Sequence, residues 1–167
     1  LNTIVYNFVD TLSHARTEMD VIKELAEDES AYRSLTLSWF KHSPLYEMMK
    51  KMSENSCKVF LTTDHGTIRV KNASKVMGPK QINSNMRYKV SKNLSYNKKD
   101  VMEALNPEKI SLPKNALSSS YVFAKENNFF VYPNNYHHFA NLYNDTFQHG
   151  GISLEEMLIP YVFLKSK

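Results

Sequence analysis

The residues best suited to chemistry fall at three places in the chain: Asp10 with His14, Asp64 with His65, and His149 ahead of Gly150-Gly151. Carboxylate oxygen and imidazole nitrogen both suit zinc or manganese. In the stretch Cys57-Lys58-Val59-Phe60-Leu61-Thr62-Thr63-Asp64-His65-Gly66, a short β-rich apolar run stops at a carboxylate and an imidazole. Buried polar groups are costly without a use, and in open α/β sheets ligands sit beyond the carboxyl ends of strands. Gly66 allows a sharp turn there. Taken alone, an ordinary strand-to-turn exit explains these residues equally well. Asp10-x-x-x-His14 puts both side chains on one side if the backbone coils after Asp10, although that spacing is common by chance. His149 lies in a glycine-flanked loop before Ser153-Leu154-Glu155-Glu156, a capping box that opens a brief helix.

The elements that must position these groups follow from periodicity. Thr3–Val9 reads as a strand, β-branched and aromatic. Helices follow over Asp20–Ala26 and Glu29–Phe40, the second with Tyr32, Leu35, Trp39 and Phe40 as core candidates. Ser43-Pro44 is a cap with proline at the first helical position, and that helix runs to about Met52 with Leu45, Met48, Met49 and Met52 as a core stripe. Val59–Leu61 then reads as a strand buried on both faces, closing a parallel, right-handed β-α-β crossover with the first strand.

From Gly66 to Lys99 there is no Asp or Glu, while Arg69, Lys71, Lys75, Lys80, Arg87, Lys89, Lys92, Lys98 and Lys99 all occur. Thr67–Val70 and Met86–Val90 are expected as strands of a basic β-hairpin around Gly78-Pro79. The stretch either covers an anionic substrate or simply faces water. If it binds, Arg69 and Arg87 are the candidates, because the guanidinium fork matches phosphate oxygens. Asn97 is expected to cap a helix over Lys98–Leu105, and Tyr121–Ala124 with Asn128–Tyr132 to form a hairpin. Pro160 ends the capped helix, and Tyr161–Leu164 is a last strand. His137 and His138 read more as surface or packing residues than as substrate contacts, and His42 as a helix-end residue.

Composition sets the outer bounds. The 167 residues, 42% apolar and 23% charged, suit one globular domain or a large part of one. A net charge of +4 favours anionic partners without requiring nucleic acid. Cys57 stands alone, which excludes an internal disulfide, fits a reducing compartment, and suggests a packed structural thiol. No stretch has the apolar length of a membrane span, and Leu1–Val9 lacks the marks of a signal peptide, so no membrane partner is expected. Position 1 is not Met and the chain opens on an expected strand, which suggests a piece of a longer protein.

The order Asp10-x-x-x-His14, Asp64-His65, His149-Gly150-Gly151 resembles the metal sites of the alkaline phosphatase superfamily. Thr63-Asp64-His65-Gly66 and the run from His149 to Pro160 resemble its PglZ branch, most closely the PglZ effector domains of PorX-type response regulators linked to type IX secretion. The resemblance implies an α/β, alkaline-phosphatase-like fold: a mostly parallel sheet flanked by helices, with the basic hairpin as an excursion. Residues 1–167 would be the C-terminal part of that domain, its N-terminal part missing.

The resemblance also implies two zinc ions, with manganese as the alternative metal. Asp10, His14 and His149 would hold one ion, and Asp64 and His65 the other. Two dications about 3.5–4 Å apart stabilise both attacking and leaving oxygens in phosphoryl transfer. Asn144, Asp145 and Gln148 are candidates to orient the ligands. The family's Thr or Ser nucleophile and a further Asp have no counterpart here, and Thr62 and Thr63 do not match that place. The fragment alone is therefore expected to be inactive. The intact protein would be a cytoplasmic phosphodiesterase or phosphatase acting on nucleotide or oligonucleotide phosphodiesters, with a homodimer and a secretion-system or sigma-factor protein as partners. The rival reading is a non-catalytic dimerisation or protein-interaction module with structural or vestigial metal sites. A sulfatase or phosphomutase relative is a third.

Overall fold

The computed structural model describes residues 2–79, 84–113 and 120–166. Lys80 of the basic stretch lies outside them. The chain divides into two compact units, Leu1–Asp64 with Pro160–Lys167, and His65–Ile159. No helix among the described residues is long and apolar enough to cross a membrane.

The first unit is built from helices α1 (Phe8–Glu18), α2 (Asp20–Leu25), α3 (Glu29–Lys41) and α4 (Pro44–Glu54), with strands β1 (Lys58–Thr62) and β10 (Tyr161–Lys165). The expected strand at Thr3–Val9 does not form: residues 2–7 have no regular structure and Phe8 already begins α1. Strand propensity expresses itself only beside a partner, and this stretch has no strand neighbour among the described residues. Phe8 instead stacks on Trp39, ring centroids 4.0 Å apart. Buried Arg16 of α1 donates to the carbonyls of Ala26 (2.6 Å) and Glu27 (2.9 Å), which satisfies carbonyls left open where α2 ends.

The later helices start as their sequences direct. Asp28 accepts from the Ala31 amide at 2.7 Å to cap α3, and Ser43 accepts from the Tyr46 amide at 3.2 Å ahead of Pro44. Both are side-chain caps, and the second is the one expected, with proline at the first helical position. The Leu45, Met48, Met49 and Met52 stripe is half-buried. Cys57 is exposed rather than packed.

β1 forms, but not as a strand buried on both faces. It pairs antiparallel with β10, Phe60 opposite Phe163, and Phe60 is 54% exposed. With no strand before it and this antiparallel partner, the expected parallel crossover is absent among the described residues. An apolar run shows that a strand seeks cover but not which element supplies it.

The second unit holds β2 (Ile68–Arg69), β3 (Asn72–Met77), β4 (Tyr88–Ser91), β5 (Ser95–Tyr96), β6 (Val101–Ala104), β7 (Ser120–Ala124), β8 (Asn128–Val131), helix α5 (Tyr136–Tyr143), β9 (Phe147–Gln148) and helix α6 (Leu154–Met157). The sheets are small: β2-β9, β5-β3-β8 and β4-β7-β6. Only β3 and β8 run parallel among the described strands, so the expected mostly parallel sheet is replaced by a mixed α/β arrangement that is mainly antiparallel. Val76, Val101, Val122, Ala124 and Phe130 form the central apolar cluster, and Val70, Phe129 and Val131 pack with α5 through Phe139 and Tyr143.

Three local expectations change for one reason: strands choose partners across the unit rather than along the chain. The basic stretch is not a hairpin, because β3 intervenes and β4 pairs with β7. β7 and β8 both form but do not make a hairpin: β7 joins β4 and β6, while β8 joins β3. The turn between them is held elsewhere, the Lys125 amide donating to the Asp100 carbonyl (2.9 Å) and the Lys71 amide to that of Asn127 (2.8 Å). The helix expected over Lys98–Leu105 is one 3-10 turn, Lys98–Asp100, capped by Asn97 at 3.2 Å, after which β6 pairs with β7.

Lys89 of β4 does not face water. It is 1% exposed, and its ammonium lies 4.7 Å from the centre of the Tyr132 ring. Burial disfavours the charged form and pulls its pKa from 10.5 down to about 8. The folded chain thus sheds this proton before the unfolded chain does. Stability is expected to rise from about pH 8 to about pH 10, and Lys89→Met to flatten that rise. Urea midpoints measured across the range check this.

Candidate metal centre

His65 and His149 are brought together by a two-stranded ribbon. β2 and β9 pair antiparallel, Ile68 opposite Gln148 and Arg69 opposite Phe147. His149 directly follows β9, and His65 precedes β2, so both sit at the same end of the ribbon. Their rings stack with centroids 3.7 Å apart and planes within 8°. A nitrogen of each ring lies within 4.8 Å of one on the other. His65 Nδ1 is 2.9 Å from the Gly66 carbonyl oxygen. That oxygen can only accept, so Nδ1 carries a proton, and in the neutral ring Nε2 holds the lone pair. Metal-binding imidazoles are commonly held this way. Two half-buried imidazoles converging from separate segments are donors that suit zinc.

Both histidine segments are fastened to one residue, Glu156 of α6. The Gly66 amide donates to the Glu156 carbonyl at 2.8 Å. The Glu156 carboxylate accepts from the Gly151 amide (2.9 Å) and the Ser153 amide (3.1 Å). The second of these bonds completes the capping box. Arg87 Nε and Nη2 grip the same carboxylate, each at 2.9 Å, both side chains wholly buried. Two further donors of Arg87 go to the carbonyls of Asn128 and Glu126. Burial pushes the Glu156 carboxyl up, but the Arg87 bonds and charge, with Gly151 and Ser153, outweigh it and hold the carboxyl below its usual range.

Asn85 adds a further tie. Its side-chain amide donates to the His149 carbonyl at 3.1 Å, and its oxygen accepts from the Arg87 (2.7 Å) and Tyr88 (3.1 Å) amides. Two glycines are demanded by this closeness. A Cβ on Gly66 would stand 2.0 Å from the Glu155 carbonyl oxygen, and Gly150 has φ +98° with Asn85 against it. Only a residue without a Cβ meets both conditions at no steric cost.

The remaining candidates lie as follows. Asp10 and His14 face each other one turn apart on α1, 3.7 Å between Asp10 Oδ1 and His14 Nε2. Their spacing implied this once the backbone coils. Asp64 lies exposed just past β1, its Oδ1 accepting from the Thr63 hydroxyl at 3.4 Å. Thr62 donates to the Pro160 carbonyl at 2.8 Å. Arg69 forms an ion pair with Asp145, and Gln148 donates to the Thr146 hydroxyl at 2.9 Å. Asn144 ends α5. Arg87 is a buried tie rather than an arm reaching out to substrate. His137 and His138 sit on α5, and His42 ends α3. The structural parts that sequence reading did not find are Asn85 and the second use of Glu156. The capping-box pattern was a signal for Glu156, but only for its helix.

Two outcomes follow from the clamp. Its stabilisation is complete above the ordinary carboxyl value of 4.5 and is lost as pH falls through the lower folded value. Denaturant midpoints should therefore hold steady down to about pH 5 and fall below it, less steeply in an Arg87→Met, Glu156→Leu double variant. Gly66→Ala should destabilise the domain by on the order of 2 kcal/mol or more, because backbone must move to admit the methyl group. Thermal denaturation checks it.

The family model described as the BREX system PglZ alkaline phosphatase-like domain matches residues 1–164. No curated protein matches the chain. With nearly the whole length covered, the chain belongs to the PglZ family of alkaline phosphatase-like domains.

Proposed function

We propose that this domain takes part in metal-dependent hydrolysis of phosphoric esters, with zinc as the metal. The observation that carries the reading is the paired imidazoles of His65 and His149, in a chain of an alkaline phosphatase-like family. In this reading His65 and His149 would each give a ring nitrogen to zinc. Bound zinc supplies positive charge that polarises a phosphoryl oxygen. The protein's own part is to present neutral imidazole nitrogens and carboxylate oxygens in fixed directions. The His65 Nδ1 proton is committed to the Gly66 carbonyl, which leaves Nε2 as the donor.

The substrate class we propose is a nucleotide or oligonucleotide phosphodiester. It is supported by the +4 net charge and the acid-free stretch from Gly66 to Lys99, which together favour an anionic ligand. Arg87 is left out of substrate binding, because its guanidinium is committed inside the fold. The setting we propose is the output domain of a cytoplasmic response regulator tied to type IX secretion. That rests on the likeness of residues 149–160 to PorX-type domains.

The test is hydrolysis of bis-(p-nitrophenyl) phosphate by the intact protein, with zinc content measured alongside. His149→Ala and His65→Ala should each lose bound zinc and lower turnover by on the order of 100-fold or more while remaining folded. Full turnover in His149→Ala, or in protein stripped of metal, would sink the proposal. Partner binding that survives while no variant or wild type turns over would favour the interaction-module reading instead.

A further inference from the structure

We propose that Glu156, held in place by Arg87, is the positioning residue that sets the separation of the His65 and His149 rings. The inference rests on the reading that these two histidines hold metal. It goes further by naming what holds them in register.

A residue can set the distance between two loops only if it bonds to both and cannot itself move. Glu156 meets the first condition. Its backbone carbonyl takes the amide of Gly66, next to His65, and its carboxylate takes the amide of Gly151, two residues past His149. It meets the second because Arg87 and Ser153 occupy the rest of its acceptor capacity, and the Arg87–Glu156 pair is fully buried. Arg87 is anchored in turn by the carbonyls of Glu126 and Asn128, at the start of β8. The histidine loops are thereby referred to the apolar core rather than to each other.

Helix capping alone explains little of this. A capping box needs only Ser153 and the Glu156 side chain. It does not need a buried arginine on the same carboxylate, nor a bond from Gly66 to the Glu156 backbone. The added partners are those expected if the spacing of the two loops matters.

The experiment uses the intact protein, labelled with 13C-histidine, and two variants. Arg87→Met with Glu156→Leu replaces a buried ion pair by apolar groups of similar volume, an exchange that folds are known to tolerate. Glu156→Asp keeps the charge beside Arg87 and shortens the reach to the Gly151 and Ser153 amides. Stacked imidazoles shield each other, so in metal-free wild type the ring Hε1 resonances of His65 and His149 should lie upfield of those of exposed histidines. Zinc affinity is measured separately by competition with a chelating dye.

In both variants the upfield shift should collapse and zinc affinity should fall about 10- to 100-fold, with thermal denaturation still cooperative. Retention of the shift and of wild-type affinity in a folded variant overturns the proposal. If the double variant fails to fold, Glu156→Asp decides by the same criteria. A wild type that shows the shift but binds no zinc refutes the metal reading. Collapse of the shift in the variants would still sustain the positioning role of Glu156.

Discussion

The loops that carry the histidines are tied to one ion pair with almost no access to water, Arg87 with Glu156. Moving two charges out of water is costly, and their attraction offsets the cost only when geometry is good and the other lone pairs are filled. Here the carboxylate is filled by two guanidinium donors and two backbone amides. The guanidinium gives two bonds to that carboxylate and two more to carbonyls. Losing either partner strands the other as an uncompensated buried charge, so the pair is retained or replaced together. That makes it a rigid reference point inside a region otherwise made of short strands and loops.

Rigidity matters here because the surrounding elements are small. β2 and β9 are two residues each and α6 is one turn. A ribbon of that size is not stable by itself. It persists because Ile68 and Val70 pack with Phe129 and Val131, and because Asp145 and Thr146 exchange backbone bonds with Val70 at 2.8 and 2.9 Å. The histidines thus sit on a thin ribbon steadied from below by apolar packing and from the side by a buried charge pair.

The two units differ in how they are held. The second has a buried apolar core drawn from several strands, with phenylalanine, valine and tyrosine meeting from different sheets. In the first, the fully buried positions among the described residues are few and partly polar: Leu12, Ser13, Arg16, Ala26 and Ser43. Its order owes more to caps, to the Phe8–Trp39 stack and to the Arg16 bonds at the end of α2. Local interactions of this kind are written in neighbouring residues, which is why α2, α3, α4 and the capping box of α6 are legible in the sequence. The strand expected at Thr3–Val9 fails because propensity acts only where a partner strand is present. Lys89 departs from the expectation that a lysine in a basic run faces water, because its register on β4 points it inward.

By itself the sequence determined the identity and spacing of the candidate ligands, the helix start at Ser43-Pro44, the capped turn at Ser153, and membership of a metal-site family through the motifs around His65 and His149. These are properties of short windows, where one or two local bonds decide the outcome. Only the tertiary structure decided that β8 pairs parallel with β3, that Arg87 turns inward, and that Glu156 joins two histidine loops far apart in the chain. Those outcomes turn on which distant groups meet once water is excluded, and no short window of residues carries that information.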